Sequence, residues 1–126
     1  MSNLLIVDDE QSYRQLLTLV FEGDGHYIRT AMNGREALNM LGEEPADVII
    51  SDVKMPDMDG SSFYESLQNA RGTSVPPVIV MTGDTSNDRT AEFLSNHDLP
   101  VLRKPFTTHE LLRVLSDIHS RPTQYE

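Results

Sequence analysis

The sequence predicts an α/β protein built on a doubly wound, five-stranded parallel sheet. Short apolar runs alternate with helical patterns along the whole chain, and no repeat or low-complexity segment interrupts them. Three of the runs are rich in β-branched residues and lack polar alternation, as in strands buried on both faces. Strict alternation of strands and helices favours a parallel sheet, for which a common five-stranded order is 2-1-3-4-5.

The strand candidates differ in strength. Residues 4–7, 48–50 and 78–81 are unbroken apolar runs, whereas residues 27–30 and 101–102 are more polar or shorter. Together with the helical patterns between them, they give five βα units.

Five helices are expected. Gly23 and Gly25 close the first helix. Asn33 with Glu36 forms a capping pair for the second, and Thr107 with Glu110 does so for the last. The helices are assigned from their spaced apolar residues: Leu16, Leu17, Val20 and Phe21; Ala37, Leu38 and Leu41; Phe63, Leu67 and Ala70; a weakly amphipathic stretch from about 85 to 95; and Leu111, Val114, Leu115 and Ile118.

Length and composition fit one domain, predicted over residues 1–119, with 120–126 as a flexible tail or the start of a linker. Twenty acidic residues against ten basic ones give a net charge of -10, which disfavours direct binding to nucleic acid. No apolar run approaches the roughly 18 residues of a membrane span, and the chain has no cysteine for a disulfide or thiolate metal site. We therefore expect a cytoplasmic location.

In open α/β sheets, ligands bind beyond the carboxyl ends of the strands, near the switch in strand order. Strands 1, 3, 4 and 5 are neighbours in the predicted order, so the residues that follow them should converge. Those residues are Asp8, Asp9 and Glu10; Asp52; Thr82 and Gly83; and Arg103 and Lys104. The sequence therefore predicts a cluster of acids, a hydroxyl and an amine at one edge of the sheet.

Carboxylates held this close repel one another unless a cation lies between them, and oxygen ligands of this kind suit Mg²⁺. The amine of Lys104 and the hydroxyl of Thr82 could then contact phosphoryl oxygens. Each residue alone has a plain structural explanation, such as a turn, a helix cap or a solvated charge. Their convergence on neighbouring strand ends favours phosphoryl transfer to a carboxylate, a reaction that needs mainly positioning and charge neutralisation.

The motifs that carry this pattern are Asp8-Asp9-Glu10, Asp52 in the stretch from residue 50 to residue 60, Thr82-Gly83, and Lys104-Pro105-Phe106. In their order and spacing, from residue 3 to about 119, the chain resembles the receiver domains of two-component response regulators. The resemblance implies a flavodoxin-like (βα)₅ fold and Mg²⁺-dependent phosphorylation by a sensor histidine kinase or a phosphotransfer protein. It also implies control of a downstream output domain or partner protein.

The resemblance also implies roles for individual residues. Asp52 would accept the phosphoryl group. Asp9 and Asp52, with the backbone carbonyl of Lys54, would bind Mg²⁺ directly, and Asp8 would hold it largely through water. Thr82 would be the switch hydroxyl, and Lys104 would pair with the phosphoryl group. The resemblance also implies a cis peptide bond between Lys104 and Pro105.

Two features depart from the common receiver pattern. Val101 stands where many receivers carry a rotating aromatic ring, and its branched side chain cannot act as one. The segment before strand 5 is more similar to receivers attached to sensor kinases. We also hypothesise that Lys54 and Asp84 form a charged gate across the acceptor. The histidines His26, His97, His109 and His119 show no ligand spacing and are expected at the surface.

Two other kinds of protein use the same aspartyl chemistry or the same fold. A Mg²⁺-dependent phosphatase with the same aspartyl chemistry usually has a second aspartate two residues after the nucleophile, where this chain has Lys54. Multiple turnover on an outside substrate is therefore not expected, and the chain is not predicted to be an enzyme in that sense. A pseudo-receiver, which acts only as a docking module, would be marked by loss of the acceptor, the acid pair or the lysine, all of which are present.

Overall fold

Alternating strands and helices build the fold, and the computed structural model describes residues 2–54, 60–71, 75–83, 88–97 and 99–120. The strands in this part of the chain are β1 Asn3–Val7, β2 Tyr27–Ala31, β3 Val48–Asp52, β4 Val78–Thr82 and β5 Val101–Arg103. The helices are α1 Gln11–Gly23, α2 Gly34–Glu43, α3 Gly60–Arg71, α4 Asp88–Asn96 and α5 Thr108–Ser120. The strands form one parallel sheet in the order β2-β1-β3-β4-β5, as predicted.

Alternate residues of each strand face opposite layers of helices, which divides the core in two. One side of the sheet packs against α2, α3 and α4, through residues such as Leu41, Phe63 and Phe93. The other packs against α1 and α5, through Phe21 and Leu115 among others. Strands β3 and β4 are buried along their whole length, which explains their unbroken apolar sequence.

The predicted helix boundaries follow from local hydrogen bonds. Gly25 has a φ of 86° after the end of α1, and its N–H donates to the Glu22 carbonyl while that of His26 donates to the Phe21 carbonyl. This pair of bonds is the Schellman arrangement, which favours glycine at the left-handed position. At α2, the Asn33 side chain accepts a hydrogen bond from the Glu36 N–H at 2.8 Å, as the predicted capping pair requires.

Two predicted core positions lie at the surface instead. Leu16 is 44% exposed because Leu17 and Phe21, one full turn apart, face the sheet and the preceding residue is rotated away from them. Ala70 shares a helical face with Phe63 and Leu67, but it is exposed because its turn is the last of α3. Ser120, the first residue of the predicted tail, is the last residue of α5, and residues 121–126 lie outside the described residues. No helix in the described ranges is both long and apolar enough to cross a bilayer.

The start of α5 supplies a test of the local capping argument. The N–H of Glu110 donates to Thr107 Oγ1 at 3.1 Å, and the N–H of Thr107 donates to Glu110 Oε1 at 3.1 Å. Thr107→Ala should lower the free energy of unfolding by about 1 kcal/mol, measured by urea denaturation. The neighbouring exposed Thr108→Ala is the control, and its effect should stay within about 0.5 kcal/mol. Equal losses in the two variants would contradict the capping role.

Candidate active site

The carboxyl ends of four neighbouring strands bring the predicted side chains to one edge of the sheet. Asp8 follows β1, Asp52 and Thr82 are the last residues of β3 and β4, and Lys104 follows β5. Asp8, Asp52 and Thr82 are buried, with exposed fractions of 0%, 6% and 3%. Polar groups buried to this degree need partners, and here the main partner is a lysine.

The ammonium group of Lys104 links the acids of two strands. Its Nζ donates to Asp8 Oδ2 at 2.8 Å and to Asp52 Oδ2 at 3.2 Å, and it lies 3.6 Å from Glu10 Oε1. Only 9% of the lysine side chain is exposed, so solvent screens these contacts little. One cation thus offsets part of the repulsion among three carboxylates.

The pKa of Asp52 reflects its burial beside another acid. Burial raises the pKa of Asp52 to about 6 and the negative charge of Asp8 adds to the rise, while the charge of Lys104 opposes it. Burial by itself would lower the pKa of Lys104, but its hydrogen bond to Asp8 and the charges of Asp52 and Asp8 raise the pKa above its ordinary value. The lysine is therefore a cation at neutral pH, and the acids around it carry excess negative charge.

Hydrogen bonds from several parts of the chain hold Asp8 in place. The N–H of Glu10 donates to Asp8 Oδ1 at 2.9 Å, which leaves Oδ2 for Lys104. An Arg14 guanidinium nitrogen, Nη1, donates to the Asp8 backbone carbonyl at 2.7 Å, and the N–H of Asp8 donates to the Ala31 carbonyl. The carboxylate is thereby held facing the end of β3.

The donor set fits a hard divalent cation. Carboxylate oxygens of Asp8, Glu10 and Asp52 lie within 4.8 Å of one another. Oxygen ligands at this spacing suit Mg²⁺, and a cation among them would favour the ionised form of the buried Asp52. Asp9, predicted to bind the metal directly, is not part of this group of three, although its side chain is exposed like that of Glu10. Lys54, whose backbone carbonyl is the other predicted ligand, is also exposed.

The structure brings two residues to the site to which the sequence assigns no separate role. Glu10 is, in the sequence, one of three acids after β1, and the structure places it with Asp8 and Asp52. Tyr13 belongs to no motif in the sequence, yet Lys104 Nζ lies 4.0 Å from the centroid of its ring. The signal available in the sequence was position alone, because both residues lie where α1 begins, at the edge of the sheet that carries the acids.

Other expectations around the site have mixed outcomes. The Lys104–Pro105 peptide is cis, as the resemblance implied. Of the histidines predicted at the surface, His109 is exposed and His97 is half-buried, where it packs against the rings of Tyr64 and Phe93 at centroid distances of 4.8 and 5.1 Å. The surface prediction was wrong for His26, whose side chain is 9% exposed and whose Nδ1 accepts a hydrogen bond from the Ser2 N–H. Position in sequence carries no information on such packing.

Asp84, one partner of the hypothesised gate, lies outside the described residues, as do residues 55–59 of the stretch after the acceptor. The gate stays a prediction.

The raised pKa of Asp52 predicts a stability that depends on pH. Without divalent metal, Asp52→Asn should raise the free energy of unfolding at pH 7 by roughly 1–3 kcal/mol, because an amide has no charge to bury or to repel Asp8. The folded pKa of about 6 exceeds the ordinary value of 3.8, so the wild type is destabilised in full above pH 6 and regains stability as the pH falls towards 3.8. The difference between the two proteins should therefore shrink over that interval.

Urea denaturation in EDTA across this pH range measures the effect. Asp117→Asn, on the exposed side of α5, is the matched control and should change stability by less than about 0.5 kcal/mol at each pH. An Asp52→Asn protein less stable than the wild type at pH 7 would contradict the account.

Comparison with known proteins agrees with this geometry. The family model of the response regulator receiver domain matches residues 4–116. A probable transcriptional regulator, ycf27 of Guillardia theta, is 40% identical over 110 residues, which are 86% of this chain and 41% of that protein. The chain spans about half or less of the length of ycf27, of response regulator MprA from Mycolicibacterium vanbaalenii and of regulatory protein AtoC from Escherichia coli.

Solved structures show the same fold. The chemotaxis protein CheY4 of Vibrio cholerae has a TM-score of 0.84 and 34% identity, with 94% of this chain and 98% of that chain covered. Response regulator protein TrrA from Thermotoga maritima, solved in complex with Mg(2+)-BeF, has a TM-score of 0.80 and 28% identity, with 94% and 99% covered. The family model covers nearly the whole described chain, and the buried acids and lysine lie at the strand ends where the fold places its ligands. This chain belongs to the family of response regulator receiver domains.

Proposed function

We propose that this chain is a phosphorylation-controlled signalling switch and that Asp52 accepts the phosphoryl group. The observation that carries the proposal is the contact of one buried lysine with two acids, Asp8 and Asp52, at the carboxyl edge of the sheet. Receiver domains serve phosphorylation-based signalling as a family. The donor we propose is the phosphohistidine of a sensor histidine kinase or of a phosphotransfer protein.

In the proposed reaction, a carboxylate oxygen of Asp52 attacks the phosphorus of the donor. The bond between phosphorus and the imidazole nitrogen breaks, and the imidazole leaves with its electron pair and takes up a proton. Lys104, which now lies 3.2 Å from Asp52 Oδ2, is within reach of a phosphoryl oxygen bonded to that carboxylate. The buried hydroxyl of Thr82, one strand away, would donate a hydrogen bond to the same group.

We propose that Asp8, Asp9, Asp52 and the backbone carbonyl of Lys54 hold Mg²⁺ during this transfer. When bound, the metal would offset the negative charge of the phosphoryl oxygens and of the carboxylates that they approach. The carboxylates of Asp8, Glu10 and Asp52 support a metal ion at this position, as does the chain's similarity to a response regulator that was solved with Mg(2+)-BeF. The choice of Asp9 and Lys54 as ligands rests on the resemblance to the receiver family. The proximity of Glu10 to Asp8 makes it the alternative to Asp9 as a direct ligand.

The product is an acyl phosphate, and its formation biases an equilibrium between two conformations of the domain. We propose that this change acts on an output domain or a partner protein, consistent with relatives that are longer than this chain. Receiver domains are switches, and we propose that this one modifies only itself, without turnover of outside substrates. A cytoplasmic location and the absence of direct nucleic-acid binding remain predictions from composition.

The phosphoacceptor assignment is tested by intact-mass measurement after incubation with Mg²⁺ and acetyl phosphate. The wild-type chain should gain one phosphoryl group, and Asp52→Asn or excess EDTA should prevent the gain. Asp47→Asn, an acid at the opposite edge of the sheet before β3, is the matched control and should be phosphorylated normally. No gain from acetyl phosphate or from kinases would favour the alternative of a pseudo-receiver that acts as a docking module.

A second test separates the two candidate ligands beside Asp8. Titration of Mg²⁺ by calorimetry should show that Asp9→Asn weakens binding by about 10-fold or more, as loss of a ligand does. Glu10→Gln should have a smaller effect, and Glu22→Gln, an exposed acid at the other end of α1, should have none. The opposite ranking of Asp9 and Glu10 would replace Asp9 by Glu10 in the ligand set.

A further inference from the structure

The ammonium group of Lys104 has a fourth neighbour besides its three carboxylates. Its Nζ lies 4.0 Å from the centroid of the Tyr13 ring, over the face of the ring. The face of an aromatic ring carries partial negative charge and attracts a cation, more strongly where water is excluded. The lysine side chain is 9% exposed, so the Tyr13 ring and the acids together shield the ammonium group from solvent.

Tyr13 is itself held in place by the segment that follows Lys104. Its ring packs against that of Phe106, with centroids 5.7 Å apart and an angle of 49° between the planes. Phe106 in turn packs against the core between the sheet, α1 and α5. The ring of Tyr13 therefore joins the first turn of α1 to the loop between β5 and α5, and Lys104 lies at that junction.

We propose that Tyr13 is a positioning residue for Lys104 in the phosphorylation of Asp52. Its ring keeps the ammonium group directed into the acidic cluster, where an incoming phosphoryl group would meet it. The proposal rests on the proposed function of Asp52 and adds a residue that acts through the lysine and does not touch the reacting atoms.

The position of this ring also matters because of Val101. That valine is 36% exposed on β5, and it offers no aromatic ring on the α4 side of the sheet edge. At the acceptor site, the aromatic contact to Lys104 comes from α1 instead. If Lys104 moved from a carboxylate to a phosphoryl group, its contact with Tyr13 would change, and with it the packing of Tyr13 against Phe106.

The contact can be measured directly, because the chain has two lysines, Lys54 and Lys104. In wild-type protein labelled on lysine with ¹³C, ring current from Tyr13 should shift the ε protons of Lys104 upfield of those of the free amino acid. A Lys54→Arg sample assigns the two lysine signals. The upfield shift should persist in Tyr13→Phe, which keeps the ring, and disappear in Tyr13→Leu. A wild-type Lys104 signal at the chemical shift of free lysine would overturn the proposal without any need for a folded variant.

The functional test is the rate of phosphorylation by acetyl phosphate at saturating Mg²⁺, followed by intact mass. Tyr13→Leu should react about two- to fivefold more slowly than the wild type, the range expected for loss of one cation–ring contact, and Tyr13→Phe should restore the rate. Tyr27→Leu, which removes an exposed tyrosine at the β2 edge of the sheet, is the matched control and should leave the rate unchanged.

Equal rates for Tyr13→Leu and the wild type would overturn the positioning role while leaving the proposed function intact. A Tyr13→Phe rate as low as that of Tyr13→Leu would also overturn it, since the hydroxyl and not the ring face would then matter. A wild-type chain that takes up no phosphoryl group would overturn the proposed function together with this inference.

Discussion

One buried cation between two buried carboxylates holds this end of the molecule together. Asp8 and Lys104 are 96 residues apart in sequence, and Asp52 and Lys104 are 52 apart, yet their charged groups are in hydrogen-bond contact. Removing the lysine would leave uncompensated negative charges where solvent reaches them poorly, which is costly. The contacts connect β1, β3 and β5, so the same charges that prepare the site also fasten the strand ends to one another.

The charges of Asp8, Glu10, Asp52 and Lys104 do not sum to zero. Three carboxylates meet one ammonium group, and burial together with the charge of Asp8 raises the pKa of Asp52 in spite of that ammonium group. An excess of negative charge at a buried site costs stability. A divalent cation or a phosphoryl group that binds there would change the net charge of the site. The hydrogen bonds that fix Asp8 from Glu10 and Lys104 keep the geometry in place before any ligand arrives.

The surroundings of the site indicate how a change there could spread. On one side, Lys104 contacts Tyr13, and through it Phe106 and the core under α1 and α5. On the other side, α3 and α4 are joined by the rings of Tyr64 and Phe93, with His97 against both. Well-packed interiors accommodate discrete shifts better than gradual ones, so a shift of one of these helices would repack its ring contacts.

Much of this could be predicted from the sequence because it depends on local patterns. The apolar runs define strands, the pairs at Asn33 and Thr107 define helix starts, and strand order then brings the residues after β1, β3, β4 and β5 to one edge. The candidate acceptor, hydroxyl and lysine follow from that topology alone. The roles proposed for these three residues come from the resemblance to the receiver family.

The fold class, the strand order and the set of converging polar residues can thus be predicted from the amino-acid sequence. Which of these residues are in contact depends on tertiary packing: Lys104 reaches Asp8 and Asp52, Glu10 and not Asp9 groups with these two acids, and the Tyr13 ring lies against the lysine. Periodicity in a sequence indicates which face of an element is buried. It does not record how α1 and the loop after β5 pack against each other, and that packing sets the distances at this site.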